Sequence, residues 1–264
     1  MFRGGFGHTL AAILDLPAGA PRGAAVFAPC FTCGKDLRAI VRISRALADR
    51  GIATLRFDPT GLGQSGGEFA ETTFDSLLAD VRAAAMEAHH QFGRCDALLG
   101  YSLGGAASLA VAEEFGFVRG VATIGAPSDT QHLAALLRRR DPAIEADGSG
   151  LVEIGGRRWT IRRELVDNLQ SFDLAARLAE LRKDVLLFHA PEDETVGYDH
   201  AIRLMQLIGG RAIEVREGMA ATSLIALPGA DHLLASHPQD WIFIADVLSA
   251  WLTRAQKHDL ASPG

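Results

Sequence analysis

Of 264 residues, 48% are apolar and 22% charged, with a formal net charge of −6, which supports a full core and excludes both a disordered chain and a binder held to nucleic acid by a broad basic surface. No run of about 18 apolar residues occurs, so a membrane-spanning helix is excluded too. Three cysteines are too few for a disulfide framework and the opening MFRGGFGHTL lacks a basic-then-apolar leader, so a cytoplasmic, reducing setting is expected.

In chain order, short β-rich runs alternate with longer amphipathic ones, the pattern of a mostly parallel sheet covered on both faces by helices. The class is α/β, and one domain is expected over residues 1–264. His8 to Leu16 reads as a leading strand, and Gly23 to Ala28 as a buried one. Leu37 to Leu47 has helical spacing, stopped at Gly51. Ile52 to Phe57 is the next strand, and Thr73 to Phe92 a long helix with Phe74, Leu77, Leu78, Val81 and Ala85 on one face. Cys95 to Tyr101 returns as a strand, Ala106 to Phe115 as a helix, and Phe117 to Ile124 as a strand. The alternation then stops. Residues 129–182 read as an insertion, a lid over the sheet edge, between core segments 1–128 and 183–264. Within it LVEI and WTIRREL form a hairpin turned at Gly155 and Gly156. Val185 to His189 resumes the buried-strand pattern, Tyr198 to Ile208 is helical, Thr222 to Leu227 is the last central strand, and Pro238 to Arg254 closes the chain as a helix. The stretch from 209 to 221 has no assignable pattern.

Gly100-Tyr101-Ser102-Leu103-Gly104 fits G-x-S-x-G, follows the apolar strand Ala97-Leu98-Leu99 and precedes the small-residue start Gly105-Ala106-Ala107. That strand–turn–helix setting presents a serine for attack, whereas the motif alone could be an ordinary Gly/Ser turn. A serine hydroxyl needs a histidine to take its proton and an acid to hold the imidazole, in the chain order serine, acid, histidine. Of nine histidines, His232 follows the last strand directly and is the expected base, with His237 as its rival. Asp193, in the loop after the strand Val185 to His189, is the expected acid ahead of Glu192, Asp173 and Asp199, and Asp231 is read as a support of its loop. The backbone N–H groups of Leu103 and Phe31 are the expected oxyanion donors. Tyr101, Leu133, Leu137 and Trp159 are expected to contact the substrate.

At this point the sequence resembles a family of serine α/β-hydrolases over about residues 2 to 254, through Cys30 to Asp36 (CFTC-x-K-D in outline), Asp58 to Ser65, Gly100 to Gly105, Ala122 to Ser128, Ile154 to Arg157 and Gly229 to Leu234. The resemblance implies an α/β-hydrolase fold with Ser102, Asp193 and His232 as triad and Phe31 and Leu103 as oxyanion donors. Some members are fused to an osmotically inducible, peroxide-reducing module, and none is expected within these residues. The family usually has histidine where Pro29 and Tyr101 stand, so a different loop packing and pocket wall are expected.

Other signals are weaker. Gly61-Leu62-Gly63-Gln64-Ser65-Gly66 matches a dinucleotide fingerprint, but Glu68 to Thr72 separates it from the following helix, and Asp80 falls inside that helix and not at a strand end. A turn beside the active site is the preferred account. Cys30-x-x-Cys33 has redox-motif spacing, set against two small residues chosen for packing. Arg138 to Arg140 read as a solvated helix end more than as an anion site. No metal-ligand spacing is evident, and no metal or cofactor is expected. The chemistry expected is hydrolysis of small-molecule carboxylic esters of small to medium acyl groups, without nucleic-acid or membrane partners. A thioesterase or amidase with the same triad, and a non-catalytic or dinucleotide-binding protein, stay open. No surface pattern fixes the oligomeric state, and a homodimer stays open as well.

Overall fold

The computed structural model describes residues 1–209, 221–237 and 239–259. A two-stranded ribbon, β1 (Phe2–Arg3) and β2 (Thr9–Leu10), precedes β3 (Ala12–Asp15), β4 (Gly23–Ala28), α1 (Arg38–Asp49), β5 (Ile52–Phe57) and α2 (Phe74–Phe92). Next come β6 (Ala97–Tyr101), α3 (Leu103–Val111) and β7 (Gly120–Ile124). Between β7 and β10 lie α4 (Gln131–Arg140), α5 (Ala143–Ala146), the hairpin β8 (Ser149–Ile154) and β9 (Arg157–Arg162), α6 (Arg163–Ser171) and α7 (Leu174–Glu180). β10 (Asp184–His189), α8 (Tyr198–Gly209), β11 (Thr222–Ala226) and α9 (Gln239–Asp259) complete the order.

Seven strands form one sheet in the order β11-β10-β7-β6-β4-β5-β3. All neighbours are parallel except β3, which pairs antiparallel with β5 at the edge. Strands β4, β5, β6 and β7 are buried along their whole length, because helices cover both faces and neither side of the strand meets water. On one face α2 and α3 pack with the inserted helices over Val26, Leu55, Leu98, Val121 and Leu187. On the other, α1 and α9 meet over Phe27, Leu99, Ile124 and Phe188. Helix boundaries follow local chemistry: Thr73 and Ser76 exchange side-chain and backbone hydrogen bonds at the start of α2, and Gly93 ends it at φ 69°.

Several expectations differ in detail, among them the strand expected from Phe117, which begins at Gly120. The strand expected over residues 8–16 is interrupted at Ala11, whose N–H leaves the ladder for Ser65 Oγ at 2.9 Å. Helix α3 begins at Leu103 and not Ala106, since the turn after β6 is one residue long. WTIRREL divides, with the strand ending at Arg162 and α6 starting at Arg163, while Gly155 and Gly156 turn the hairpin at φ 59° and 75°. Residues 210–220 lie outside the described residues. Among the described residues, no helix is long and apolar enough to cross a membrane.

Candidate active site

Ser102 sits between β6 and α3 with φ 51° and ψ −122°, a positive-φ conformation that a non-glycine residue adopts at a cost of about 1–3 kcal/mol. The neighbouring glycines make that turn possible. A Cβ at Gly104 would overlap the carbonyl oxygens of Ala28 and Pro29, and one at Gly105 would press on the Ala126 methyl, so α3 packs directly on the loop after β4 and on the end of β7. The Ser102 N–H is held by the Ile124 carbonyl at 2.9 Å, which fixes the turn to the neighbouring strand.

Asp193 follows β10 and His232 follows β11, so both stand at the same carboxyl edge of the sheet as Ser102. Asp193 Oδ2 accepts from His232 Nδ1 at 2.7 Å, and Oδ1 accepts the N–H groups of Thr195 and Val196 at 2.9 Å each. Burial works to raise the Asp193 carboxyl, but the His232 hydrogen bond and the two backbone donors outweigh it and hold it below the usual carboxylate range. With Nδ1 facing a carboxylate, the imidazole carries its proton there and leaves Nε2 as the basic nitrogen. Ser102 and His232 line one cavity of about 490 Å³, and no hydrogen bond joins the hydroxyl to the ring. Free enzymes often hold this contact long until substrate closes it.

Around this cavity the chain is tightly specified. Gly125, at φ 58°, lies against the acid–base pair, where an added Cβ would stand 3.3 Å from Asp193 Oδ2 and from the His232 ring. The Tyr101 hydroxyl donates to the His232 carbonyl at 2.6 Å, and burial pushes that hydroxyl well above the usual phenol range. Asp231 folds the next turn by accepting N–H groups of Leu233 and Ser236 at 2.8 Å each. The Phe31 N–H has no hydrogen-bond partner among the described residues, and Leu103 opens α3, where first-turn N–H groups have no helical acceptor.

Leu133 and Leu137 from α4 line the cavity; Tyr101 and Trp159 do not. Tyr101 is fully buried behind His232. Trp159 packs edge-on to Phe69 at 4.6 Å, and Phe69 in turn faces Phe31 at 5.7 Å, so the indole stands one layer behind the cavity wall. Among the rival residues, Glu192 ties the two loops together through the Gly229 N–H at 2.9 Å, Asp173 caps α7, Asp199 lies in α8, and His237 is exposed. Sequence reading passed over Gly125 and the Thr195 and Val196 donors. Gly125 was visible as the glycine of ATIGAPS, but its neighbour His232 is far along the chain.

The glycine-rich loop after β5 wraps a carboxylate of this chain. Asp58 accepts from the Lys35 N–H and Nζ at 2.8 Å each and from the Gln64 N–H at 2.9 Å. A Cβ at Gly63 or Gly34 would collide with that carboxylate, which is why both positions are glycine. Asp80 is buried in α2, accepting from Thr60 N–H at 2.7 Å, and burial raises its carboxyl. Asp58 therefore braces the Pro29–Asp36 loop through Lys35, while Asp80 fixes the turn at Thr60.

Two further clusters depart from expectation. Cys30 and Cys33 are joined in a disulfide, where packed thiols were the favoured reading. Asp129, His132 and His200 bring potential metal-ligand atoms within 4.8 Å, which sequence spacing did not suggest. There His200 Nδ1 already accepts the Ser128 N–H at 3.1 Å, and Asp129 is held down to about 2, chiefly by its His132 hydrogen bond.

Comparison with known proteins agrees with this architecture. The alpha/beta hydrolase family model matches residues 16–243. Among solved structures, the esterase domain of a Rhodothermus marinus protein is 40% identical, covers 96% of each chain and has a TM-score of 0.73. Est1E from Butyrivibrio proteoclasticus, solved with ferulic acid, is 21% identical over 99% of this chain and 100% of its own, with a TM-score of 0.76. A putative hydrolase from Agrobacterium vitis is 22% identical over 93% of this chain and 94% of its own, with a TM-score of 0.73. No curated protein matches. With the family model spanning most of the polypeptide and the Ser102 turn, Asp193 and His232 gathered at one sheet edge, the chain belongs to the alpha/beta hydrolase family.

Proposed function

We propose that this protein is a serine hydrolase of carboxylic esters with small to medium acyl groups. The observation that carries the reading is the strained Ser102 facing the same cavity as His232, whose other ring nitrogen is held 2.7 Å from Asp193. Ser102 Oγ attacks the ester carbonyl as His232 Nε2 takes its proton, and Asp193 stabilises the imidazolium. The Phe31 and Leu103 N–H groups receive the oxyanion of the tetrahedral intermediate. Collapse expels the alcohol, which takes the proton from His232, and water repeats the sequence on the acyl-serine. The segment 129–182 serves as a lid whose Leu133 and Leu137 give the acyl group an apolar wall. Preference for oxygen esters draws support from the relative that is 40% identical, itself described as an esterase domain.

Matched oxygen esters, thioesters and amides of one acyl series test the bond cleaved, and the oxygen esters are expected to turn over fastest. Ser102→Ala is expected to lower turnover by about 10⁶. Retention of more than a few per cent of wild-type activity, with contamination excluded, would remove Ser102 from the mechanism.

A further inference from the structure

The loop after β4 carries both an expected oxyanion donor and a disulfide. Cys30 and Cys33 close a ring around Phe31 and Thr32, with Cα atoms 5.1 Å apart. Inside that ring Thr32 is held at φ 61°, a left-handed conformation costly for a β-branched residue, and the Cys33 N–H donates to the Cys30 carbonyl at 3.1 Å. Both cysteines line the substrate cavity, so a reagent small enough to enter comes up against the disulfide-bearing residues. Cys33 is partly exposed while Cys30 is buried, which makes Cys33 the more accessible residue of the pair. The third cysteine, Cys95, is buried against the opposite side of the sheet, with its thiol pushed up to about 12 by desolvation, and takes no part in exchange.

We propose that Cys30–Cys33 is a thiol–disulfide exchange site that sets the oxyanion hole, taking small dithiols as its reductant. The inference rests on the hydrolase reading above. A dithiol thiolate entering the cavity attacks Cys33 Sγ, forming a mixed disulfide as the Cys30–Cys33 bond breaks and Cys30 leaves as thiolate. The reagent's second thiol then attacks its own sulfur in the mixed disulfide and expels Cys33. Two electrons and two protons pass to the cysteine pair, and the reagent departs as its cyclic disulfide. Once the ring opens, the hydrogen bond from the Cys33 N–H to the Cys30 carbonyl is what still closes the turn at Thr32, while the Asp58 brace holds the loop further on at Gly34 and Lys35. The chain at Phe31, between the freed Cys30 and the relaxing Thr32, shifts with it, so the Phe31 N–H no longer faces the developing oxyanion. Loss of one such donor costs about 10²–10³ in turnover. The ground-state ester depends little on that bond, so KM changes little.

The test uses the full-length enzyme with its disulfide intact, assayed on a p-nitrophenyl ester before and after excess dithiothreitol and again after reoxidation with diamide, with intact mass after alkylation reporting the cysteine state. The expected result is a fall in kcat of about 10²-fold on reduction with KM nearly unchanged, and recovery on reoxidation. Cys33→Ser should show the low kcat throughout and respond to neither reagent; because the wild-type cycle needs no substitution, a poorly folding variant does not decide the matter. Unchanged kcat with both cysteines alkylated would overturn the proposal, as would a bond that dithiothreitol leaves closed in the folded enzyme. Ser102→Ala in the oxidised form separates the two readings. If that variant is inactive while reduction is without effect, the exchange site alone falls.

Discussion

Tyr101 holds His232 by hydrogen-bonding its backbone carbonyl, with the two rings edge to face. Its hydroxyl is fully buried, remains protonated because burial raises it, and donates to the His232 carbonyl. Tyr101→Phe leaves that carbonyl without its donor and loosens the imidazole by the margin of one neutral hydrogen bond, about 1 kcal/mol. The expected outcome is a fall in kcat of about five- to tenfold with KM unchanged, read from steady-state kinetics on a single ester. A merely structural role would lower the melting temperature and spare kcat. The contrast with Ser102 shows what sequence reveals at this scale. Ser102 is legible because everything that shapes its turn lies within a few residues: a strand before it, glycines beside it and a helix after it. Tyr101 also stands in that motif, yet its hydrogen-bond partner is 131 residues away, and spacing along the chain carries no trace of such a contact. Trp159 likewise reads as a pocket residue by type, whereas folding places Phe69 and Phe31 between it and the cavity.

Elements assembled from local composition were legible nearly to the residue, as with Gly23–Ala28 and Ile52–Phe57, where uninterrupted apolar runs demand burial on both faces. Loops were harder, because their glycines answer to groups elsewhere. Gly61 to Gly66 suggests a phosphate cradle until Asp58 occupies its centre, bonded to Lys35 from the loop after β4. Lys35 and Asp58 are both nearly dry, with side chains 5% and 2% exposed, so removing Asp58 takes from Lys35 its buried partner and leaves it the exposed carboxylate of Asp36. Asp58→Ala is expected to cost about 3–5 kcal/mol in urea or guanidinium unfolding. It should also reduce kcat, since Lys35 lies two residues beyond Cys33 in the loop that bears Phe31. A change confined to stability would show that the loop keeps its shape without this brace.

For the whole molecule, the alternation of strand and helix was enough to give the α/β class and a mostly parallel sheet, because chain direction and two-sided burial both leave a mark on composition. How residues 129–182 seat Leu133 and Leu137 over the cavity was not legible, since it depends on the packing of α4 against α6. The acid–base pair also links the site to global stability. Asp193 is held below its ordinary value of 3.8, so the stability it contributes is present above that pH and is lost as pH falls through the lower folded value. Melting curves below pH 4 should therefore fall more steeply for the wild-type protein than for Asp193→Asn, and parallel curves would show that the pair makes no net contribution there.

The strand order has a further consequence for biosynthesis. Asp193 and His232 follow the two strands that join the sheet last along the chain, β10 and β11, while Ser102 is in place well before them. On the hydrolase reading proposed above, a growing polypeptide on the ribosome thus carries the Ser102 turn before Asp193 and His232 have been made, and the three residues meet only when β10 and then the edge strand β11 dock. Parallel pairings between distant segments form slowly, so on that reading the proton-transfer chain is absent for as long as the sheet is incomplete.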